Sequence, residues 1–315
     1  NALESPELLD AQQQAIALLS RRTPLVPRIL PTNSGKSLTE AMGTDGRRHF
    51  VWAVTHLPGV PLAAARYRPK ELLTDVGCRI GELSQELRGF DHPAIHRDLY
   101  WDLASGRRIV DELRGLIDDA YLGRAIDALI SRFDEHVAPL LPKLRRSAIH
   151  NDLNDYNILV DDNGGADPGA RHITGIVDFG DMLHGYTVGD LAIAAAYIAI
   201  GAADSVIAVS QLVRGFHAVA PIAEPELDAL FGLICLRLCT SACVAARQLR
   251  ERPAKVGGVE GRQLAGEDPG RPAVEHDVVE REEKRVRAPP DPDGEPAHQS
   301  RSLRIGPSGE VVLVE

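Results

Sequence analysis

The chain has 315 residues, a formal net charge of -10 and 44% hydrophobic residues. That length fits one large domain or two lobes around a core, and the acidic balance argues against a general nucleic-acid binder, because phosphate backbones attract Lys and Arg. Four cysteines do not make a disulfide scaffold in a chain of this size and fit a reducing compartment. No basic segment leads into an apolar stretch at the start, and the longest apolar run, residues 191–200, is about half a bilayer span. The expectation is a soluble cytoplasmic protein that engages neither nucleic acid nor membrane.

Leu3, Leu8, Leu9, Ile16, Leu18 and Leu19 keep helical spacing over residues 3–20, with Ser5 as N-cap and Pro6 in the first turn. Pro24, Pro27 and Pro31 then forbid helix. Asn33-Ser34-Gly35 and Asp45-Gly46 are turn chemistry, and Phe50-Val51-Trp52-Ala53-Val54 reads as a strand. Together they predict a small antiparallel unit ending at Leu57-Pro58-Gly59. Residues 69–90 and 107–138 have helical periodicity, and Leu72, Leu73, Val76, Ile80, Leu83 and Leu87 mark one buried face. A short strand Ile158-Leu159-Val160, a hairpin turn at Asn163-Gly164 and a return strand over 173–177 lead to Asp178. Three apolar helical stretches follow near 190–200, 204–219 and 225–250. Residues 251–315 lack aromatics, are rich in Pro and Gly and have no apolar period. Such a segment cannot bury enough surface to offset its ordering entropy. It is expected to be disordered, or an aberrant tail read from GC-rich DNA in a wrong frame.

The chemistry is concentrated in His150-Asn151-Asp152-Leu153-Asn154-Asp155-Tyr156-Asn157 and, after the predicted hairpin, Ile176-Val177-Asp178-Phe179-Gly180-Asp181. Phosphoryl transfer needs these types. A carboxylate must orient the attacking hydroxyl and accept its proton, and an amide oxygen with a second carboxylate must hold a divalent ion against the phosphates. Asp152 fits the first role; Asn157 and Asp178 fit the second. Asp152 in the loop and Asn157 at the strand start can face one cleft, and the hairpin returns Asp178 beside Asn157.

Other stretches imitate chemistry. Gly35-Lys36-Ser37 resembles the end of a phosphate loop, but Leu30 stands where the first glycine belongs and Pro31 follows; a hairpin tip is the expectation. His96-Arg97-Asp98-Leu99 imitates a kinase catalytic loop, yet Leu103 occupies the asparagine position. Arg97 and Asp98 are therefore expected in a salt bridge or helix cap, with His96, Trp101 and Asp102 as weaker substrate-side candidates. Cys235, Cys239 and Cys243 share one helical face at a spacing that does not suit zinc and are expected to pack as small apolar residues. His184 and Tyr186, after the second motif, are candidates for the acceptor side, otherwise shaping the loop into the next helix. No hydrolase elbow or zinc-protease motif occurs in the sequence.

With Thr187-Val188-Gly189-Asp190-Leu191-Ala192, these motifs resemble the aminoglycoside phosphotransferase and choline kinase group of small-molecule kinases. The likeness covers roughly residues 1–250. It is nearest to the hydroxylysine kinase branch and to phosphotransferase modules fused to class III aminotransferases. The resemblance implies an α+β, protein-kinase-like two-lobed fold. A truncated N-terminal lobe over 1–57 would sit on a mostly helical C-terminal lobe over 58–250, with 251–315 as the tail. It implies ATP as co-substrate, Mg²⁺ as cofactor and a small hydroxylated amine as acceptor, with further enzyme modules fused to the intact protein. By the same resemblance Asp152 is the catalytic base, while Asn157 and Asp178 bind magnesium. His150 braces the loop with Asp190, and Asp181 serves metal or loop support. Thr55, His56 and Leu57 form the hinge that meets the adenine. Trp101, His184 and Tyr186 remain the acceptor-side candidates. In such kinases a nucleotide-covering loop and a strand lysine precede the first lobe helix. Here they would precede Asn1, leaving Asp10 or Glu7 as the helix acid. The expectation is weak ATP binding and slow turnover, the alternative being a catalytically impaired binding or scaffold module.

Overall fold

Helix α1 (Pro6–Leu19) begins where the Ser5 side chain accepts the Leu8 amide at 3.2 Å, and it buries Leu8, Leu9, Ala11, Ala15, Ile16 and Leu19. In the computed structural model, the residues described are 5–44, 46–65, 67–161, 171–251, 302–305 and 311–314. The proline-rich stretch leads into β1 (Ile29–Leu30), β2 (Thr39–Met42), β3 (Arg48–Val51) and β4 (Ala53–Val54). All pair antiparallel, β2 with β3 and β1 with β4. The single strand expected over residues 50–54 is thus split at Trp52, and its halves serve different partners. Gly35-Lys36-Ser37 lies in the turn between β1 and β2, with Gly35 at φ +78° and its amide on the Thr32 carbonyl. The turn is closed by the Thr32 amide on the Lys36 carbonyl at 2.7 Å, while β1 and β2 take other strands as partners.

Strand β5 (Val60–Pro61) pairs antiparallel with β7 (Ile158–Val160), which pairs in turn with β8 (Ile173–Ile176). Between them, α2 (Lys70–Leu87) buries Leu72, Leu73, Val76, Ile80, Leu83 and Leu87, the apolar face its spacing predicts. Each fully buried Leu or Ile contributes about 1.5–3 kcal/mol relative to exposure. The helical stretch expected over 107–138 is two helices, α3 (Leu103–Leu113) and α4 (Ala120–His136). Asp119 restarts the chain by accepting the amides of Tyr121 and Leu122, both at 2.8 Å, as an N-cap does.

Strands β6 (Arg146–Ile149) and β9 (Leu183–Tyr186) form an antiparallel pair with Ile149 opposite Leu183 and Arg146 opposite Tyr186. Neither strand follows from the sequence pattern, in which His184 and Tyr186 are candidates for the acceptor side or for shaping the loop into the next helix. Three helices complete the body: α5 (Gly189–Ala199), α6 (Ser205–Val219) and α7 (Glu224–Glu251). Helix α5 is almost wholly buried. By length and composition α7 could cross a membrane, but more than half of its apolar window is buried against the rest of the chain. The cysteines at 235, 239 and 243 are free, and Cys239 and Cys243 are buried on α7. Beyond Glu251, β10 (Ser302–Ile305) and β11 (Val311–Val314) run antiparallel. The other residues for which disorder or an aberrant tail is expected, the Asn163-Gly164 turn, Asp45 and Leu3 lie outside the described residues.

Candidate active site

The loop from His150 to Asn157 joins β6 to β7, and its backbone is tied to the first turn of α5. There the buried Asp190 carboxylate accepts the amides of His150 at 3.0 Å and Asn151 at 2.7 Å. Burial pushes that carboxyl above the usual range, and the His150 charge and the two amides oppose the shift. Asn151 adopts φ +65°, a left-handed turn that asparagine tolerates. The His150 ring then joins two segments. Its Nδ1 accepts the Asp152 amide at 3.3 Å, so Nε2 donates to the Val177 carbonyl at 3.0 Å, and Phe179 packs against the ring with centroids 4.6 Å apart.

The Asp152 carboxylate is gripped on both oxygens. Asn154 Nδ2 donates to Oδ1 at 3.0 Å, and Asn157 Nδ2 donates to Oδ2 and to the Asp152 carbonyl, both at 2.8 Å. Asn154 Oδ1 in turn accepts the amides of Tyr156 and Asn157, an Asx turn that shapes the loop. The Val177 amide donates to the Asn157 carbonyl at 3.0 Å. Asp178 therefore follows directly on the residue paired with Asn157. Asp178 is itself left-handed, at φ +66°, and its carboxylate accepts the Gly180 amide at 3.3 Å.

Charge defines the pocket. Burial pushes the Asp152 carboxyl up to about 7; Arg237 opposes that shift, and Asp181 and Asp178 add to it. Asp181 is raised by burial and then by Asp178, against Arg97, Arg237 and His150. Three carboxylates thus feel one another at the end of β8, an arrangement that a cation relieves. Asn157 commits its Nδ2 to Asp152, which leaves its Oδ1 as an oxygen donor on a residue whose backbone meets the residue before Asp178. Such hard oxygen donors fit a divalent cation of the magnesium kind. Among the described residues, no group of three or more His, Cys, Asp or Glu side chains is arranged to hold a metal ion by itself.

The remaining sequence-derived residues fall at different distances from this centre. The Thr55 amide donates to the Arg28 carbonyl and its hydroxyl accepts the Arg28 amide; His56 and Leu57 follow it, just after β4. Trp101 reaches Asp152 through Arg237. His184 stacks on His96 with centroids 4.4 Å apart, on the strand that follows Asp181. Tyr186 is buried at the end of the β6–β9 ladder away from the loop, with the Arg146 guanidinium 5.1 Å over its ring. Asp10 meets His92 at 3.5 Å and Gln14 at 2.7 Å. In the kinase-loop imitation, Asp98 pairs with Arg108 and Ser105 and Asp102 caps α3. Arg97 donates to the carbonyls of Gly180 at 2.8 Å and Met182 at 3.1 Å. Arg237 escaped the sequence reading altogether. A lone charge on the apolar face of a long helix was the available signal.

A loop carboxylate held by two asparagine amides, set between small antiparallel strands and a helical body, is the arrangement of the kinase-like phosphotransferase class. The model of the Phosphotransferase enzyme family matches residues 1–230, and the chain belongs to that family. It is 30% identical over 289 residues to the hydroxylysine kinase of Mus musculus, covering 86% of this chain and 76% of the relative. It is 32% identical over 251 residues to that of Xenopus laevis, covering 76% and 66% respectively. Among solved structures, amicoumacin kinase hAmiN in complex with AMP-PNP, Ca²⁺ and Ami superposes with a TM-score of 0.58 at 15% identity, over 90% of this chain and 78% of that one. A microcompartment-associated aminopropanol kinase gives 0.57 at 18% identity, over 79% and 82%. The fold is α+β and protein-kinase-like, and the chain is of the small-molecule kinase type.

Proposed function

We propose that this chain transfers the γ-phosphoryl group of ATP, with Mg²⁺, to a hydroxyl of a small amine-bearing acceptor such as hydroxylysine, an amino alcohol or an aminoglycoside. The observation that carries the reading is the Asp152 carboxylate, fixed on both oxygens and set beside Asn157, Asp178 and Asp181. Its burial favours a base that titrates near neutrality, where general-base catalysis is most effective. Asp152 orients the acceptor hydroxyl and takes its proton as the oxygen attacks the γ-phosphorus, the bond to the β,γ-bridging oxygen breaks and ADP leaves. Asn157 Oδ1 and the Asp178 carboxylate would hold Mg²⁺, which would offset negative charge on the phosphates. His150 and Asp190 keep the loop in register with the Asp178 segment, and Asp181 supports that segment. His56 and Leu57 offer backbone to the adenine. Trp101, His184 and Tyr186 are the candidates for the acceptor side. The free cysteines accord with a cytoplasmic setting.

The test is phosphate transfer from labelled ATP in the presence of Mg²⁺, over a panel of hydroxylysine, aminopropanol and an aminoglycoside, with GTP as a second donor. Asp152→Asn is expected to lower turnover by about 10²–10⁴-fold while leaving nucleotide affinity measured by calorimetry intact. Wild-type turnover in that variant would remove Asp152 from the reaction.

A further inference from the structure

We propose that Arg237 is a positioning residue for the transfer reaction: from α7 its guanidinium locks the Asp152 carboxylate in the rotamer that faces the acceptor hydroxyl. The inference rests on Asp152 being the base. Arg237 Nη2 donates to Asp152 Oδ1 and to the Tyr197 hydroxyl, each at 3.4 Å, and Nη1 donates to the Trp101 carbonyl at 2.9 Å. The guanidinium carbon lies 5.1 Å from the Trp101 ring centroid and 5.7 Å from that of Tyr197. Two aromatic faces and a carbonyl therefore hold the fork.

Three features separate positioning from other roles. First, Asn154 and Asn157 also hold the Asp152 side chain, but they belong to the same loop and move with it. Arg237 lies 85 residues away on the helical body, so it references the carboxylate to a rigid element. Second, packing alone does not require a guanidinium there. A stripped charge costs more than an apolar side chain of similar volume, and its neighbours Leu233, Leu236 and Thr240 are buried. Third, Arg237 is 3% exposed whereas the Asp152 side chain is 21% exposed. The open end of the pair is the carboxylate, and the arginine offers little surface to an incoming acceptor.

Steady-state kinetics with hydroxylysine and Mg-ATP, on the whole chain, test this with Asp152→Asn, Arg237→Met and Arg237→Lys. Misplacing a reacting group by an ångström costs about 10²-fold, and Arg237→Met is expected to lower kcat by that order. KM for acceptor and nucleotide should stay within about twofold, the pattern of an interaction felt only in the transition state. Arg237→Lys keeps the charge without the fork and should fall between. Methylguanidine added to Arg237→Ala should restore part of the turnover. If Arg237→Met fails to fold by circular dichroism, the Arg237→Lys split between kcat and KM decides. Wild-type kcat in the Arg237 variants, with Asp152→Asn inactive, overturns the positioning role alone. A raised acceptor KM with kcat held also overturns it, in favour of direct acceptor binding. Persistent turnover in Asp152→Asn overturns the reading of the base and this inference with it.

Discussion

His184 shows how a single side chain on this scaffold acquires its own pH response. Burial lowers its pKa from the ordinary 6.5, and the charges of His96 and Arg146 lower it further, with Asp91 opposing. The folded protein therefore binds fewer protons at this site than the unfolded chain does. Stability rises with pH wherever the unfolded state holds more protons. The contribution is thus complete above the unfolded value of 6.5 and is lost as pH falls from there towards the folded pKa. Urea midpoints measured from neutral to mildly acidic pH should fall on acidification, and His184→Phe, which keeps a ring against His96, should flatten that dependence. A curve unchanged by the substitution would detach the effect from His184. At this scale the sequence was legible where chemistry imposes spacing. The approach of the Asn157 and Val177 backbones could be read because one strand pair brings them together. Arg237 could not, because its contact with Asp152 spans 85 residues and local pattern carries no trace of such a pairing. Tyr186 was drawn towards the site by proximity in sequence, whereas strand register carries it away.

Helices proved easier to read than strands. The buried face of α2 was fully written in its spacing, and α5, α6 and α7 fall close to their apolar stretches. Strands β6 and β9 escaped because four residues carry too little alternation, and Gly185 interrupts β9. The break between α3 and α4 also escaped, since apolar period continues across it while Asp119 resets the chain. The crossing of α2 and α6 depends on residues with no side chain at all. A Cβ on Gly77 would overlap the Leu212 carbonyl oxygen, and one on Gly215 would overlap that of Thr74. Backbone meets backbone here, so neither helix can yield by moving a side chain. Overpacking a tight core costs about 1–3 kcal/mol or more. Gly77→Val and Gly215→Val should each destabilise by at least that order in chemical denaturation, more than Gly89→Val, where a Cβ meets open space. Equal losses at all three positions would deny the close crossing.

Across the whole molecule, the segment carrying Asp178 is held from two directions. The Gly180 carbonyl accepts Gln12 Nε2 from α1 at 3.1 Å and Arg97 Nη2 from the loop before α3 at 2.8 Å. Helix α1 also reaches that loop through Asp10 and His92. Helix α1, the segment carrying Asp178 and the loop before α3 thus meet around one carbonyl. An ion held by Asp178 would act on that junction, so its binding should register as global stability. A ligand at 100 times its Kd stabilises by about 2.7 kcal/mol. For a chain of this size each kcal/mol moves Tm by about 2–4 °C, so Mg-ATP at that level should raise Tm by about 5 °C or more. Replacing Mg²⁺ by EDTA, or Asp178 by Asn, should remove most of the rise. Gln12→Ala should lower the starting Tm and leave the Mg-dependent increment in place, because Gln12 touches the backbone of the segment and not the ion. A Tm shift by ATP that is indifferent both to chelation and to Asp178→Asn would place the nucleotide elsewhere and dissolve the link between this junction and phosphoryl transfer.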